Sequence, residues 1–276
     1  MRRRDGSRPP VPPVLAAPVV DAHTHLDACG ATDPDGVREM VDRAESAGVG
    51  RVVTVADDLD AARSAVAAAT WDPRVFAAVA IHPTRTGDFG AAERAAVTEL
   101  AAHPRVVAVG ETGLDYYWDY ATPDDQRAAF RWHIGLAKEL GKPLMIHDRD
   151  AHEDVLAILD AEGPPDTVIF HSYSGDLAMT KRCVDAGYVL SFSGTVTFRN
   201  APALHESARH VPGGQLLVET DAPFLTPHPF RGRPNEPYCA AYTVRGLAQL
   251  RSVSEFDLCE SLRGNAERVF GLDRSA

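Results

Sequence analysis

The sequence predicts an α/β protein with the architecture of a TIM (β/α)8 barrel, and three observations lead to that prediction. Short apolar runs, each about four to eight residues long and rich in Val, Ile, Leu or Phe, recur along the chain, as parallel strands buried on both faces require. Ala-rich amphipathic segments of helical length separate these runs. The chain length of 276 residues also suits one such barrel.

The apolar runs and helical segments alternate eight times. Strands are predicted at 19–22, 51–56, 75–81, 105–109, 143–146, 167–170, 188–192 and 215–218. Helices are predicted at 35–48, 58–70, 91–102, 123–140, 152–162, 176–186, 200–210 and 237–250, with a further helix at about 254–270. Two helices begin with a capping residue before proline, at Asp33 and Thr122. A closed barrel is favoured over an open doubly wound sheet because no G-x-G-x-x-G motif follows the first strand.

One domain is predicted, formed by residues 18–276. No linker or shift in composition interrupts residues 19–270. Residues 1–17 are rich in proline and are predicted to form a flexible tail. The segment 222–236 contains many Pro and Gly residues and is predicted to be a long loop after the eighth strand.

Composition restricts the classes of function. The 39 acidic and 28 basic residues give a net charge of −11, which argues against a broad basic face for duplex DNA but leaves room for one phosphate pocket. No apolar run approaches the ~18 residues of a membrane span, and no obligatory protein partner is evident. The basic residues 2–4 precede prolines rather than an apolar signal segment, so a cytoplasmic location is predicted. No C-x-x-C pair occurs, and four free thiols are predicted: Cys29, Cys183, Cys239 and Cys259.

The first predicted strand ends in an H-x-H pattern formed by His23 and His25. Residues two apart in a strand point the same way, so both imidazoles are expected to project together into the barrel mouth. Two imidazoles on one face can ligate a metal ion. By itself the pattern is equally compatible with two unrelated edge residues.

Four further predicted strands end in a residue that can bind a divalent cation, namely Glu111, His147, His171 and Asp221. Catalytic residues of a (β/α)8 barrel lie at the carboxyl ends of its strands. Carboxylates gathered there would raise one another's pKa values unless cations neutralised them. The mixed imidazole and carboxylate set predicts two divalent ions as cofactors, chosen among Zn²⁺, Mn²⁺ and Mg²⁺.

An ordered series of motifs covers residues 19–271 and carries a family resemblance. The motifs are DAHTHLD at 21–27, IHP at 81–83, GETGLDYY at 110–117, QRAAF at 126–130, IHDRDA at 146–151, HSYSG at 171–175, ETDAP at 219–223, RPNEP at 233–237 and NAERVF at 265–270. With them the chain resembles the TatD-type metal-dependent deoxyribonucleases of the amidohydrolase superfamily. The resemblance implies a barrel of the metallo-dependent hydrolase type.

The resemblance also implies roles for particular residues. One metal would be held by His23, His25, Glu111 and Asp221, and the other by Glu111, His147 and His171. Glu111 would bridge the two ions, where other superfamily members use a carboxylated lysine. Asp221 would orient or deprotonate the nucleophilic water, so Glu111 and Asp221 are the predicted catalytic residues.

Four more residues match pocket positions of the family and are predicted to contact substrate: His82, Asp115, Arg149 and Asn235. Asn235 lies in the loop expected to cover the pocket. His82 could instead be a hydrogen-bonded structural histidine before Pro83. A surface salt bridge is an equally suitable role for Arg149.

Three functions are compatible with this pattern. The favoured one is exonuclease hydrolysis of DNA at single-stranded ends, with phosphate contacts from loop arginines and base stacking, or mere loop packing, by aromatics after the fourth strand. The arginines are Arg85, Arg149, Arg199, Arg231 and Arg233, and the aromatics are Tyr116, Tyr117, Trp118 and Tyr120. The alternative is hydrolysis of a small amide, ester or lactone, or of an aminoacyl ester, which would not need those arginines. A non-catalytic binding scaffold is a remote third, since it would not need the full ligand set.

Overall fold

A computed structural model describes residues 6–272, which form a barrel of eight parallel strands. The strands are β1 (Val19–Thr24), β2 (Val49–Val55), β3 (Val75–Ala78), β4 (Val106–Asp115), β5 (Leu144–Arg149), β6 (Val168–Phe170), β7 (Val189–Phe192) and β8 (Leu216–Val218). Each strand pairs in parallel with the next in chain order. A parallel bridge between Thr24 and Ala222 joins the end of β8 to β1. The predicted TIM barrel is confirmed.

Nine α-helices of the described chain surround the sheet, and the last turns of the ninth pack against side chains of the barrel interior. They are α1 (Pro34–Ser46), α2 (Leu59–Trp71), α3 (Ala91–Ala101), α4 (Pro123–Leu140), α5 (His152–Glu162), α6 (Leu177–Asp185), α7 (Pro202–His210), α8 (Ala240–Arg251) and α9 (Glu255–Phe270). The two predicted caps form, because Asp33 accepts the Gly36 N–H and Thr122 accepts the Asp125 N–H. None of the helices within residues 6–272 is long and apolar enough to cross a membrane.

The strands bury both faces, which accounts for their continuous apolar runs. One face packs inside the barrel through Val20, Val53, Ala78, Ala108, Met145, Ile169, Val189 and Leu217. The other face packs beneath the helices through Val19, Val52, Ala77, Val109, Leu144, Phe170, Leu190 and Val218. The core therefore has two layers, and the polar side chains that face inward lie beyond the inner layer, at the carboxyl ends of the strands.

Strand β4 is longer than its apolar run predicts. The run ends at 109, but the strand continues to Asp115, and every residue from Gly110 to Asp115 is buried. Pairing with β5 continues to Asp115 opposite Arg149. Polar side chains remain in this strand because they bond to other buried groups, Glu111 at the mouth and Thr112 to His133 of α4.

Residues 8–17 of the predicted flexible tail make contacts with the barrel domain. The Tyr238 hydroxyl donates to the Pro9 carbonyl, and the Leu15 N–H donates to the Ala47 carbonyl at the end of α1. Leu15 is only 5% exposed. Prolines lack an N–H but keep a carbonyl acceptor, so a proline-rich segment can be held by donors from neighbouring helices. The predicted tail also includes residues 1–5, which lie outside the described residues.

Candidate metal centre

Two irregularities in strand pairing turn His23 and Glu111 into the barrel. Asp21 pairs with Val52 while Thr24 pairs with Thr54, so β1 has one residue more than β2 over this stretch. Simple alternation after the inward-facing Ala22 would have turned His23 out toward the helices. A β-bulge of this kind re-aims the side chain that follows it.

The second bulge lies in β4 and re-aims Glu111. Val109 pairs with Leu144 and Thr112 pairs with Ile146, which leaves two residues of β4 opposite Met145. The first of these must be Gly110, since a Cβ there would lie 2.5 Å from the Met145 Cβ. The bulge therefore brings the Glu111 carboxylate into the mouth of the barrel.

The first group of candidate ligands consists of His23, His25, Glu111 and Asp221. The two Nε2 atoms lie 3.2 Å apart. His23 Nε2 lies 3.7 Å from Glu111 Oε1 and 3.6 Å from Asp221 Oδ1. His25 Nε2 lies 3.6 Å and 3.4 Å from the same two oxygens. Bonds of about 2.0–2.1 Å to one tetrahedral ion would separate neighbouring ligand atoms by roughly 3.3–3.4 Å. The atoms of His23, His25 and Asp221 therefore have the spacing of a single cation site, and Glu111 Oε1 lies near both of these imidazoles.

The second group uses the other oxygen of Glu111. His171 Nε2 lies 2.8 Å and His147 Nδ1 lies 3.2 Å from Glu111 Oε2. The two imidazole nitrogens lie 3.2 Å from each other. Glu111 is thus shared, with one oxygen facing each group. The structure brings all six predicted ligands together at one point of the mouth.

Each histidine of the first group, His23 and His25, has an acceptor behind its ring. His25 Nδ1 lies 2.9 Å from the Val55 carbonyl, and His23 Nδ1 lies 3.2 Å from the Met145 sulfur. An acceptor at one ring nitrogen fixes the proton there and leaves the lone pair of the other nitrogen directed at the centre. Neutral imidazoles in this tautomer are metal ligands, so the donor set fits a divalent cation.

Two buried carboxylates provide the same support for the second group. His147 Nε2 lies 3.0 Å from Asp115 Oδ2, and His171 Nδ1 lies 3.3 Å from Glu219 Oε1. Asp115 is 1% exposed and Glu219 is fully buried. Carboxylate–histidine pairs behind a metal ligand orient the ring and increase its basicity.

Charges within the ligand cluster shift the pKa values of its members, and the imidazole protons that result are what a bound cation would displace. Burial alone would raise the pKa of Glu111, but His171, His82 and His23 hold that pKa well below its usual range. Burial lowers the pKa of His171 and His25, yet neighbouring carboxylates outweigh it, and the pKa of His25 is raised to about 9. Without a cation, protons on imidazoles compensate the carboxylates. Metal binding would release those protons.

Asp221 is presented by backbone contacts between β8 and β1. The Asp21 carboxylate accepts the N–H and the hydroxyl of Thr220 at 2.8 and 2.5 Å. The Asp221 N–H donates to the His23 carbonyl at 2.9 Å, and Asp221 adopts a positive φ of 53°. Aspartate tolerates this conformation better than most residues, and such geometry is concentrated at functional sites. The Asp221 side chain is 13% exposed against 5% for Glu111, so it is the more accessible carboxylate.

Two residues predicted to contact substrate lie elsewhere than expected. Asp115 is behind His147, and its other oxygen accepts the N–H groups of Tyr117 and Trp118. Asn235 is 1% exposed, and its amide donates to the carbonyls of Thr220 and Phe224. Both side chains are fully engaged within the fold, so a direct contact with substrate does not fit either position. The family motifs place both residues near the site but do not indicate which atoms their side chains contact.

His82 borders the centre, and Arg149 is the last residue of β5, two residues after His147. His82 Nε2 lies 3.2 Å from His147 Nδ1, and burial together with His147 lowers the pKa of His82 to about 3. Its Nδ1 accepts the Thr84 N–H, so a proton on Nε2 would face the centre as a hydrogen-bond donor. Arg149 is exposed, and its guanidinium lies 3.8 Å from the centre of the Tyr117 ring.

Sequence reasoning assigned no role to Asp21, Glu219 or Phe224. Glu219 could have been found from its spacing, because it lies two residues before Asp221 and so on the same face of the extended chain. Asp21 lies two residues before His23, so alternation would place it on the same face, but the bulge that follows Asp21 leaves its side chain facing away from the mouth. Phe224 follows a predicted strand end, but nothing in the pattern indicates its exposure.

The comparisons with known proteins agree with this geometry. Residues 20–271 match the family model of TatD related DNase. An uncharacterized metal-dependent hydrolase TatD of Mycobacterium tuberculosis is 59% identical over 92% of this chain and 98% of that protein. A 3'-5' ssDNA/RNA exonuclease TatD of Escherichia fergusonii is 32% identical over 85% of this chain and 92% of that protein. The crystal structure of the TatD homolog YJJV from Escherichia coli superposes with a TM-score of 0.84 at 28% identity, covering 92% and 98% of the two chains.

Proposed function

The chain belongs to the TatD related DNase family of metal-dependent hydrolases, and we propose that it hydrolyses phosphodiester bonds at the ends of single-stranded DNA. One observation carries the proposal: the two oxygens of Glu111 face two separate groups of ligand atoms. A shared carboxylate between two sites suits two-ion chemistry, in which both the attacking and the leaving oxygen of a phosphodiester need stabilisation.

The proposed cofactors are two divalent cations. His23, His25, Glu111 and Asp221 would hold one of them, while His147 and His171 would hold the other together with Glu111. When bound, the ions would supply Lewis-acid stabilisation of the reacting oxygens. Imidazole-rich ligands favour Zn²⁺ or Mn²⁺ in affinity, whereas availability can favour Mg²⁺.

Asp221 is the proposed general base. Burial raises its pKa, but His25, His23 and His171 outweigh burial and hold the pKa below its usual value, so the side chain is ionised at neutral pH. Its greater exposure leaves it accessible to a water molecule at the mouth. An ionised carboxylate beside the attacking water can orient it and accept its proton.

The proposed substrate follows from the rim of the centre and from a relative. Arg149 and three exposed aromatic side chains border the mouth, and a neutral small substrate would need neither. The E. fergusonii relative is named a 3'-5' ssDNA/RNA exonuclease. A chain of net charge −11 suits a local contact with a strand end better than an extended duplex contact.

The test is metal-dependent shortening of an end-labelled single-stranded oligonucleotide. Protein stripped with EDTA is expected to be inactive, and Mn²⁺, Mg²⁺ or Zn²⁺ is expected to restore a ladder of products. Asp221→Asn should lose most of that activity, whereas Asp35→Asn, at an exposed helix position, should retain it. Calorimetric titration of the metal-free protein should give two binding events per chain.

Two outcomes would overturn the proposal. If metal-loaded protein leaves the oligonucleotide intact, DNA is not its substrate, and amides, esters and lactones become the compounds to screen. If Asp221→Asn cuts as fast as the parent chain, Asp221 is not the base. One binding event per chain would exclude the two-ion site while leaving the hydrolase assignment intact.

A further inference from the structure

Three aromatic side chains after β4 are exposed beside the metal centre. Tyr117, Trp118 and Tyr120 have exposed fractions of 55%, 43% and 69%. The rings of Trp118 and Tyr120 stack with centroids 5.5 Å apart, and Tyr117 meets Trp118 edge-on at 4.9 Å. We call these three residues the aromatic ledge. Although these rings contact one another, about half or more of each side chain remains exposed, which leaves apolar surface open to a ligand.

The ledge is linked to the metal centre through Asp115. One oxygen of Asp115 accepts the N–H groups of Tyr117 and Trp118, each at 3.0 Å, and its other oxygen faces His147. Arg149 adds a cation over the Tyr117 ring, with 3.8 Å between the guanidinium and the ring centre. The position of the ledge is therefore fixed relative to His147. Tyr116 is not part of it, because its hydroxyl bonds to Asp154 and its ring is half-buried.

A groove runs along the ledge. It encloses about 540 Å³ and is bordered by residues 115–123 together with Gly87, Asp125 and Gln126. Pockets for small ligands range from about 300 to 1,000 Å³, so the groove has room for one nucleoside.

Another exposed aromatic ring lies at the opposite side of the mouth. Phe224 follows β8, and β8 is four strands from β4 in either direction around a closed eight-stranded sheet. The Phe224 ring is 58% exposed and lies 6.2 Å from the His25 ring, centre to centre. Its backbone is held by Asp221 and Asn235, because its N–H donates to the Asp221 carbonyl and its carbonyl accepts the Asn235 amide. The ligand cluster thus lies between Phe224 and the aromatic ledge.

We infer that Phe224 and the aromatic ledge stack on the nucleobases that flank the bond to be cut, one on each side. This inference rests on the proposed function and specifies its substrate: an unpaired strand end with a base on both sides of the scissile phosphodiester. Stacking on aromatic faces is tolerant of sequence because every base has a π-face, so no base preference is expected. Arg149 supplies the positive charge that a phosphate next to the ledge requires.

The geometry selects against duplex ends. Bases that stack on two aromatic surfaces at opposite sides of the mouth are splayed apart and cannot remain stacked on each other or paired with a second strand. A duplex end would first have to be unpaired, which costs free energy. The minimal substrate is accordingly a dinucleotide unit that keeps both bases.

The test compares base removal with side-chain removal. Fluorescein-labelled oligonucleotides carry an abasic residue at the last position, at the penultimate position or far from the end. Binding is measured by anisotropy with phosphorothioate ends, and cleavage is measured separately on ordinary ends. The proteins are the parent chain, Phe224→Ala, Trp118→Ala and Phe256→Ala, the last a control with 54% exposure on the distant helix α9.

For the parent chain, each abasic residue near the end should weaken binding by about 5- to 150-fold, the range expected for one stacked base. Phe224→Ala should weaken binding similarly and become insensitive to removal of one particular base, and Trp118→Ala should become insensitive to removal of the other. Phe256→Ala should match the parent chain. Tyr120→Ala provides a second ledge variant if Trp118→Ala is poorly folded.

The inference is overturned if all four proteins respond equally to the abasic residues, or if the parent chain binds no single strand. Absence of cleavage with the predicted pattern of binding would instead refute the proposed function and leave the stacking sites standing. If cleavage occurs but is unaffected by abasic residues near the end, the proposed nuclease activity stands and the stacking sites are refuted.

Discussion

The two faces of the barrel arrange their charges in opposite ways. At the mouth, buried imidazoles and carboxylates face one another across distances of 2.8 to 3.7 Å. At the other face, cations donate mainly to backbone carbonyl groups. Arg105 donates to the carbonyls of Ala69 and Pro73, and Lys142 donates to the carbonyl of His103. Lys138 and Arg251 do the same at the ends of α5 and α7.

The difference follows from the direction of the helices. Each helix of a (β/α)8 unit ends at the face opposite the mouth and presents unpaired carbonyls and a negative dipole end there. Lysine and arginine satisfy those groups, so this face needs no ligand. The mouth instead gathers charges that are best compensated by cations from solution. Charge serves stability at one face and function at the other.

The largest effect is expected from Glu111→Gln, which removes the carboxylate shared by the two ligand groups at the mouth. An amide cannot offer an anionic oxygen to both ligand groups, so the proposed bridge is lost. Cleavage of a single-stranded oligonucleotide should fall by about 10³-fold or more, since several kcal/mol of charge stabilisation depend on bound ions. Glu39→Gln, at an exposed position of α1, should cut normally. Retained activity would show that the two groups do not act through Glu111.

A smaller loss is expected from Asp115→Asn, which acts only through His147. An asparagine can still accept the N–H groups of Tyr117 and Trp118, but its NH2 group would then face His147 Nε2 and favour the wrong tautomer. Metal affinity at the second group should fall about 10- to 100-fold by calorimetry. The neighbouring exposed residue Asp119, changed to Asn, serves as the control. Equal affinities in the two variants would contradict the orienting role.

The opposite face is tested by Arg105→Met. The methionine leaves the part-buried carbonyls of Ala69 and Val75 without this donor, together with the exposed carbonyl of Pro73. The free energy of unfolding in urea should fall by about 2 kcal/mol. Turnover per folded molecule should be unchanged. A loss of activity without a loss of stability would contradict the conclusion that charges at this face serve stability and charges at the mouth serve function.

The smallest effect concerns His133, a buried histidine outside the ligand cluster. Its Nε2 accepts the Ile81 N–H, its Nδ1 faces the Ala129 carbonyl, and burial lowers its pKa to about 3. The unfolded chain binds a proton below about pH 6.5 while the folded chain does not, so this contribution to stability is lost as the pH falls from about 6.5 toward 3. At pH 5.5 the loss should be about 1 kcal/mol.

The measurement for His133 is urea unfolding at pH 7.5 and pH 5.5 for the parent chain and His133→Gln. Glutamine does not titrate, so the variant should show a smaller loss between the two pH values. The difference between the two losses isolates His133 from the other titrating groups. Identical losses would mean that His133 is protonated in the folded chain as readily as in the unfolded one.

The limits of sequence reasoning are visible in particular residues. Helix and strand periodicity located every strand and every α-helix of the described chain, with small errors at the ends, because alternation of apolar runs is a local property. The same criterion ended β4 too early, since the polar residues from Gly110 to Asp115 are buried for a reason that lies in other strands. The contacts of the proline-rich segment 8–17 were not predicted for the same reason: the donors Tyr242 and Arg245 belong to α8, far along the chain.

The sequence by itself determined the barrel and which side chains end its strands, because both follow from short-range patterns and from the parallel order of the strands. Only the tertiary structure decided where those side chains point. His23 and Glu111 enter the mouth through bulges, and a bulge is set by register against a neighbouring strand rather than by local propensity. The roles of Asp115 and Asn235 likewise depend on which atoms their buried side chains meet, and no pattern along the chain specifies that.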